Sequence, residues 1–281
     1  MTELSSPDTA APVPYMAGAA PYFYLGTGSL ARVGCLITHG LLASPAEPRW
    51  LGQHLAGVGF TVCGVRLAGH GTDPQTAAHI DWEDWVASAI DGYHLLKSVC
   101  DKIVVIGHSM GGTVALMLAS DARFPVDALV ALAAPVRIDD DMARHAHLLK
   151  EQIPFTDQTD RSEFVEVVKA GQAKRGEPVV GRVRYDQWAT HAVGELVEMA
   201  DVVYTRLPLI TAPTLLIYAA NDTTVPLINR DRIVERIGAR TVEQHTLERT
   251  GHIIPQDVEA EDSFRLVETF LRRQFDSRAG V

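Results

Sequence analysis

The chain has 281 residues, of which 47% are hydrophobic and 21% charged, a composition typical of a folded domain with a buried core. Its formal net charge of −10 disfavours nucleic acid and anionic lipid surfaces as partners. No run approaches the roughly 18 apolar residues of a membrane span, so we expect no integral membrane segment.

The N-terminal stretch is rich in Ser, Thr, Ala and Pro and has little apolar patterning, which predicts a flexible tail over residues 1–20. It carries Glu3 and Asp8 and lacks a basic region followed by an apolar one. We therefore expect no secretory signal and a cytoplasmic location. The chain has three cysteines, Cys35, Cys63 and Cys100. We expect them to be buried free thiols rather than disulfide partners.

Apolar runs then alternate with amphipathic stretches. The runs predict strands at residues 22–25, 33–38, 61–66, 102–106, 128–133, 214–218 and 241–247. Apolar spacings of three and four predict helices at residues 50–58, 82–96, 113–120, 231–237 and 257–275. This alternation predicts an α/β fold with a mostly parallel central sheet and helices on both faces.

The alternation is interrupted over residues 136–205, which are rich in charge and in helix formers and contain no continuous apolar strand. We interpret this stretch as a small, mostly helical cap. The core is then formed by residues 21–135 and 206–281.

The most informative motif is Gly-His-Ser-Met-Gly at residues 107–111, which follows the apolar run at 102–106 and precedes a predicted helix. A serine at such a sharp strand-to-helix turn projects its hydroxyl above the sheet, and Gly107 and Gly111 leave room for neighbouring backbone. The following helix N-terminus supplies N–H groups to a developing oxyanion. We therefore predict Ser109 as a nucleophile.

A nucleophilic serine needs a base, and the base needs an orienting carboxylate. Asp222 follows the predicted strand at 214–218, and His252 follows the one at 241–247. Because parallel strands end at one edge of the sheet, we predict Asp222 as the orienting acid and His252 as the base. Glu248 is an alternative acid, although it lies on the same connection as His252.

Two backbone amides are expected to form the oxyanion hole. One is the N–H of Met110, the residue after the nucleophile, and the second is assigned to Leu41, in the loop after the first central strand. For the substrate pocket we name His39, His108 and Ile253, although the favoured interpretation is that His39 shapes its loop by hydrogen bonding and that His108 packs or bonds locally.

No metal or organic cofactor is expected. The sequence has no C-x-x-C pair and no clustered His/Cys spacing suited to zinc. His145, His147 and His191 lie in the insertion without a partner visible in sequence. Apolar residues of the insertion that either line an acyl pocket or pack on the core are Phe155, Phe164, Tyr185, Trp188, Leu196 and Met199.

Several motifs recur together in one known family: His39-Gly40-Leu41, Gly69-His70-Gly71, Gly107-His108-Ser109-Met110-Gly111-Gly112, Asn221-Asp222 and Gly251-His252. With them the chain resembles, over residues 22–275, the small bacterial carboxylesterase and monoacylglycerol-lipase branch of the α/β-hydrolases. The resemblance implies a helical cap over the site and hydrolysis of short- to medium-chain carboxylic esters. It also implies a Ser-His-Asp triad and an acyl-enzyme intermediate.

Other activities suit the same residues. They are thioester hydrolysis, acyl transfer and carbon–carbon bond hydrolysis, and a non-catalytic ligand-binding protein on this scaffold is a further alternative. Epoxide hydrolases and haloalkane dehalogenases generally carry an Asp at the nucleophile position, so Ser109 argues against both. The expected partner is a small-molecule ester, and nothing in the sequence indicates an oligomeric state.

Overall fold

The computed structural model describes residues 15–276, so residues 1–14 of the predicted tail lie outside the described residues. Residues 15–20, which were also assigned to that tail, pack against the rest of the chain. Ala19 is fully buried, and the Arg49 guanidinium donates hydrogen bonds to two carbonyl oxygens of this stretch at 2.8 and 2.9 Å. The packed part of the chain therefore begins before residue 21.

Strands occur at each of the seven positions where the sequence predicts one, and two further strands, β6 and β7, lie in the insertion. In chain order they are β1 (Tyr22–Tyr24), β2 (Val33–Thr38), β3 (Thr61–Gly64), β4 (Lys102–His108), β5 (Ala128–Leu132), β6 (Phe155–Asp157), β7 (Gln187–Ala189), β8 (Thr214–Ala219) and β9 (Val242–Leu247). Seven of them form one sheet in the order β1-β3-β2-β4-β5-β8-β9. Every neighbouring pair in it is parallel except β1 with β3. The mostly parallel central sheet is therefore confirmed.

The helices follow the predicted alternation with shifted ends. They are α1 (Arg49–Gly57), α2 (Pro74–Ala77), α3 (Trp82–Lys97), α4 (Met110–Ala119), α5 (Asp141–Arg144), α6 (Ala146–Leu149), α7 (Ser162–Lys174), α8 (Thr190–Arg206), α9 (Ile228–Arg236) and α10 (Ala260–Phe275). α10 begins three residues later than predicted because the Asp257 carboxylate accepts the Gly251 N–H at 2.7 Å and so belongs to the preceding loop. None of the helices described between residues 15 and 276 is both long and apolar enough to cross a membrane.

The central strands are buried on both faces. Along β4, Ile103 and Val105 belong to one apolar cluster, whereas Val104 and Ile106 belong to another. Since side chains alternate across a strand, these clusters lie on opposite faces of the sheet. The first cluster includes side chains of α3, α4 and α8, and the second includes side chains of α1 and α10. Helices therefore cover both faces, as predicted.

The chain between β5 and β8 contains α5 to α8 and, in addition, the short antiparallel pair β6–β7. The helices expected in this segment are thus present, together with a two-stranded ribbon that the sequence did not predict because it has no continuous apolar run there. α8 packs against the core through buried residues such as Met199 and Val203. That the segment caps the site stays a prediction. The thiols of Cys35, Cys63 and Cys100 are free and buried.

Candidate active site

Ser109 occupies the turn between β4 and α4 with φ 54° and ψ −125°, a backbone conformation that residues other than glycine rarely adopt. Its N–H donates to the Leu132 carbonyl oxygen of the neighbouring strand at 2.8 Å. Such backbone strain costs of the order of 1–3 kcal/mol and persists only where surrounding structure holds it. Here the parallel pairing of β4 with β5 and the start of α4 hold it.

The two glycines of the motif are required by close backbone contacts. A Cβ atom at Gly107 would lie 2.1 Å from the Gly111 carbonyl oxygen, and one at Gly111 would lie 2.5 Å from the Thr38 carbonyl oxygen. Neither contact is possible for a larger residue without moving backbone. Both glycines of the motif are therefore needed for α4 to pack against the ends of β2 and β4.

Ser109, His252 and Asp222 form one continuous line of hydrogen bonds. The Ser109 Oγ lies 2.9 Å from His252 Nε2, and His252 Nδ1 lies 2.7 Å from Asp222 Oδ2. Asp222 follows β8 and His252 follows β9, so three carboxyl ends of the parallel sheet supply the three side chains. The structure thus brings together the three residues that the sequence names as nucleophile, base and acid.

The environment of Asp222 keeps its carboxylate ionised. Burial alone raises the pKa, but the hydrogen bond and charge of His252 and the N–H groups of Val225 and Thr224 outweigh it, so the pKa of Asp222 lies below its usual value. Those two N–H groups donate to Oδ1 at 2.9 and 2.8 Å. An ionised carboxylate only accepts, so His252 donates from Nδ1 and its Nε2 is free to accept the Ser109 proton.

The loop that carries His252 is fixed by two carboxylates that the sequence analysis did not single out. Glu259 Oε2 accepts the N–H groups of Arg249 and Thr250, each at 2.8 Å. Asp257 Oδ2 accepts the Gly251 N–H. The alternative acid, Glu248, is exposed, whereas the carboxylate in contact with His252 Nδ1 is that of Asp222.

The loop after β2 runs beside the serine. A Cβ atom at Gly40 would lie 3.4 Å from the Ser109 Cβ. Among the described residues, neither the Leu41 nor the Met110 amide donates to another protein group. Met110 is buried at the start of α4, so its N–H is one of the unpaired donors of a helix N-terminus.

The same loop is bound to the insertion. The Tyr185 N–H donates to the Leu42 carbonyl oxygen at 3.0 Å, and the Ser44 hydroxyl donates to the Val183 carbonyl oxygen at 2.7 Å. Leu42 itself has a positive φ of 60°. Residues 183–185 therefore hold the loop that contains Leu41.

His39 and His108, which the sequence names for the substrate pocket, are both buried and neither ring faces solvent. His39 Nδ1 lies 2.9 Å from the Gly40 carbonyl oxygen, and its Nε2 accepts the Leu67 N–H at 3.2 Å. Burial lowers the pKa of His39 to about 4, so the ring is neutral and shapes the loop. Ile253, which follows the candidate base, is partly exposed.

A buried carboxylate connects several parts of the site. Glu47 Oε1 accepts the Gly40 N–H at 3.0 Å and lies 2.8 Å from His108 Nδ1, while Oε2 accepts from Arg182 at 2.8 Å. Burial raises the pKa of Glu47, but the lowering effect of His108 and Arg182 is larger. The pKa therefore lies well below its usual value, and the carboxyl is ionised. His108 Nε2 in turn donates to the His252 carbonyl oxygen at 2.9 Å. Glu47 therefore links the loop after β2, the residue before Ser109 and, through His108, the backbone of the candidate base.

The residues proposed as an acyl pocket are mostly packing residues. Met199 is fully buried, and Leu196 lies in the same apolar cluster. The Tyr185 hydroxyl donates to the Gly69 carbonyl oxygen and accepts the Thr72 N–H, both at 2.9 Å, so it joins the insertion to the G-H-G turn. Partly buried members of the set are Phe155, Phe164 and Trp188.

Residues 31–259 match the model of a protein family described as serine aminopeptidase, S33. The chain belongs to this family of α/β-hydrolases. A thermostable monoacylglycerol lipase of Bacillus sp. (strain H-257) is 30% identical over 252 residues, which cover 87% of this chain and 90% of that lipase. The family resemblance predicted from the motifs is therefore confirmed.

Solved structures of α/β-hydrolases share the fold. A structure described under LipS and LipT, two metagenome-derived lipolytic enzymes, has a TM-score of 0.80 at 24% identity, over 92% of this chain and 100% of that one. The monoacylglycerol lipase of Paleococcus ferrophilus has a TM-score of 0.73 at 19% identity, over 91% and 98% of the two chains. The predicted fold class is confirmed by this likeness.

Proposed function

We propose that this α/β-hydrolase is a serine carboxylic ester hydrolase, a carboxylesterase or monoacylglycerol lipase acting on short- to medium-chain acyl esters. The observation that carries the proposal is the hydrogen-bonded line from Ser109 through His252 to Asp222. The 30% identical relative, a monoacylglycerol lipase, favours an ester as the substrate.

In the proposed reaction, Ser109 Oγ attacks the ester carbonyl carbon while His252 Nε2 takes the hydroxyl proton. The carbonyl oxygen becomes an oxyanion and accepts the N–H groups of Leu41 and Met110. His252 then gives its proton to the leaving alcohol oxygen as the carbon–oxygen bond breaks, which leaves an acyl-Ser109 ester. Asp222 holds the imidazole orientation and offsets its positive charge.

Deacylation repeats these steps with water. His252 takes a proton from water, the resulting hydroxide adds to the acyl carbon, and Ser109 leaves as its hydroxyl recovers the proton. Each carbonyl addition develops charge at the same oxygen, so the Leu41 and Met110 amides serve both halves of the reaction.

The test compares wild type with Ser109→Ala on p-nitrophenyl butyrate and on 1-monooctanoylglycerol. We expect the variant to lose at least about a thousandfold in kcat while its Tm stays within a few degrees of wild type. Ser98→Ala, which removes an exposed hydroxyl at the end of α3, is the matched control and retains activity. Wild-type turnover by Ser109→Ala contradicts the assignment.

A substrate panel separates the ester hydrolase from the other activities of the same residues. It contains an acyl thioester, a ring-fission product for carbon–carbon bond hydrolysis and an alcohol acceptor for acyl transfer. Since the matching family is described as serine aminopeptidase, an aminoacyl p-nitroanilide is included as well. Faster turnover of any of these than of both esters contradicts the proposed substrate class. Labelling of wild type but not of Ser109→Ala by a fluorophosphonate probe distinguishes an enzyme from a ligand-binding protein.

A further inference from the structure

Three metal-ligating side chains converge on the insertion, apart from the residues of the candidate active site. His191 and Glu195 lie one turn apart on α8, and His147 lies on α6. One ligand atom from each of the three lies within 4.8 Å of the others. We propose that these residues form a binding site for one zinc-type divalent transition-metal ion.

The distances fit a single ion. His147 Nε2 and His191 Nε2 each lie 3.8 Å from Glu195 Oε1. Zinc bound at about 2.0–2.1 Å by nitrogen and oxygen ligands in a tetrahedron places those ligands about 3.3 Å apart. Each of the two nitrogen–oxygen distances therefore needs to shorten by about half an ångström, a change that side-chain rotation supplies.

Glu195 is oriented toward the two imidazoles. The residue is buried, and its Oε2 accepts the Trp82 N–H at 3.0 Å. Its Oε1 accepts no hydrogen bond from any residue between 15 and 276, and the 3.8 Å contacts are too long to be hydrogen bonds. A carboxylate fixed through one oxygen by backbone, with the other turned to two imidazoles, has the support that metal ligands have in proteins.

A glycine makes room for the His147 ring. A Cβ atom at Gly194 would lie 2.8 Å from the imidazole atoms Cε1 and Nδ1 and 2.9 Å from Nε2. A glycine inside α8 costs about 1 kcal/mol of helix stability relative to alanine. Gly194 therefore lowers the stability of α8 at the one position where it allows the His147 ring to pack against the helix.

Further carboxylates surround the three ligands. Asp81, just before α3, places Oδ1 at 3.2 Å from His191 Nε2, and Glu198 places Oε2 at 3.8 Å from His147 Nε2. Each contacts only one imidazole, and neither belongs to the group whose ligand atoms lie within 4.8 Å of one another, so the protein supplies three ligands and leaves one position open. Two imidazole nitrogens and a carboxylate oxygen are a donor set suited to zinc, copper or nickel rather than to magnesium or calcium.

Two contacts of His191 oppose binding and have to change, because its Nε2 also lies within hydrogen-bond distance of Asp81 Oδ1, at 3.2 Å, and must give up the proton that it donates there. The Lys150 ammonium lies 3.3 Å from His191 Nδ1, which it can approach only while that nitrogen is unprotonated. A metal ion on Nε2 of a neutral imidazole requires the proton on Nδ1, so Lys150 turns away when the ion binds. The side chain is only partly buried and has four rotatable bonds, which makes this movement possible.

The test measures Zn²⁺ binding to the full chain, prepared without a histidine tag and stripped with a chelator. Isothermal titration calorimetry is expected to give one site per chain, and saturating Zn²⁺ to raise the Tm by about 5 °C. Single variants His147→Ala, His191→Ala and Glu195→Gln are each expected to weaken binding at least tenfold. The matched control, His145→Ala, removes an exposed histidine two residues from His147 and retains wild-type affinity.

Several results overturn the proposal. The proposal is wrong if wild type shows no saturable Zn²⁺ binding, or if all three ligand variants bind Zn²⁺ as tightly as wild type. It is also wrong if His145→Ala loses Zn²⁺ binding. Circular dichroism checks that each variant is folded, and Glu195→Gln keeps the shape of the side chain, so a folding defect is distinguished from ligand loss. Because no readout is enzymatic, the outcome is independent of the proposed ester hydrolysis.

Discussion

Replacing Glu47 with glutamine tests whether one buried carboxylate holds the candidate site together. Its carboxylate, only 3% exposed as a side chain, receives hydrogen bonds from Gly40, His108 and Arg182 at 2.8 to 3.0 Å. Glutamine keeps the shape but supplies one acceptor oxygen and turns an NH₂ group toward donors. Breaking a buried ion pair on one side costs about 3–5 kcal/mol, and the retained oxygen places the expected loss near 3 kcal/mol.

The loss is measured by urea unfolding at neutral pH, followed by circular dichroism. Glu163→Gln, an exposed glutamate on α7, is the matched control and is expected to stay within about 0.5 kcal/mol of wild type. We also expect kcat/KM for the ester substrate to fall about tenfold, because the loop beside Ser109 and the His252 backbone lose an anchor. A Glu47→Gln protein as stable as Glu163→Gln refutes the reasoning.

Acid adds a second measurement to the same variant. Because the folded pKa of Glu47 lies below its ordinary value of 4.5, the stability it contributes is fully present above that value. It is lost as the pH falls below 4.5 toward the folded pKa. Wild type is therefore expected to lose more stability than Glu47→Gln when the pH is lowered through this range, and an equal loss contradicts the assignment.

Three further predictions concern backbone and buried rings. Ser109→Gly is expected to be about 1 kcal/mol more stable than Ser109→Ala in urea unfolding, because glycine accepts the positive φ without strain; equal stabilities contradict this. Gly111→Ala, whose Cβ meets the Thr38 oxygen, is expected to lose about 3 kcal/mol or more by the same measurement. Burial lowers the pKa values of His39 and His70 to about 4 and about 3, so the unfolded chain binds more protons below 6.5. The free energy of unfolding should then fall by about 1.4 kcal/mol per pH unit for each ring, and a rise on acidification from 6.5 contradicts this.

The central sheet and the positions of Ser109, Asp222 and His252 follow from local patterns. A strand buried on both faces needs a continuous apolar run, and a sharp turn after it needs small residues at Gly107 and Gly111. Parallel strands end at one edge, so residues just after separate strands meet there. Each of these rules acts within a few residues, which is why a single sequence is enough to apply them.

The supporting residues depend on contacts that no local pattern records. Glu47 lies in a loop between two prolines, and its partner Arg182 is 135 residues away. His147 and His191 have no regular spacing and meet only because α6 packs against α8. No metal ligands are therefore predicted there from the sequence. His39 and His108, which were also named for the pocket, are buried and bonded to backbone, as the local interpretation of both histidines predicts.

The two hydrogen bonds between residues 183–185 and the loop at Leu42 and Ser44 have a consequence for engineering. Exchanging the insertion for that of another hydrolase is an obvious route to a new substrate preference. A chimaera joined at residues 136 and 205 would also replace the stretch that is hydrogen-bonded to the loop after β2, whose Gly40 lies beside Ser109. Grafts that keep residues 183–185 should retain turnover while their selectivity changes, so the productive crossover point lies before residue 183.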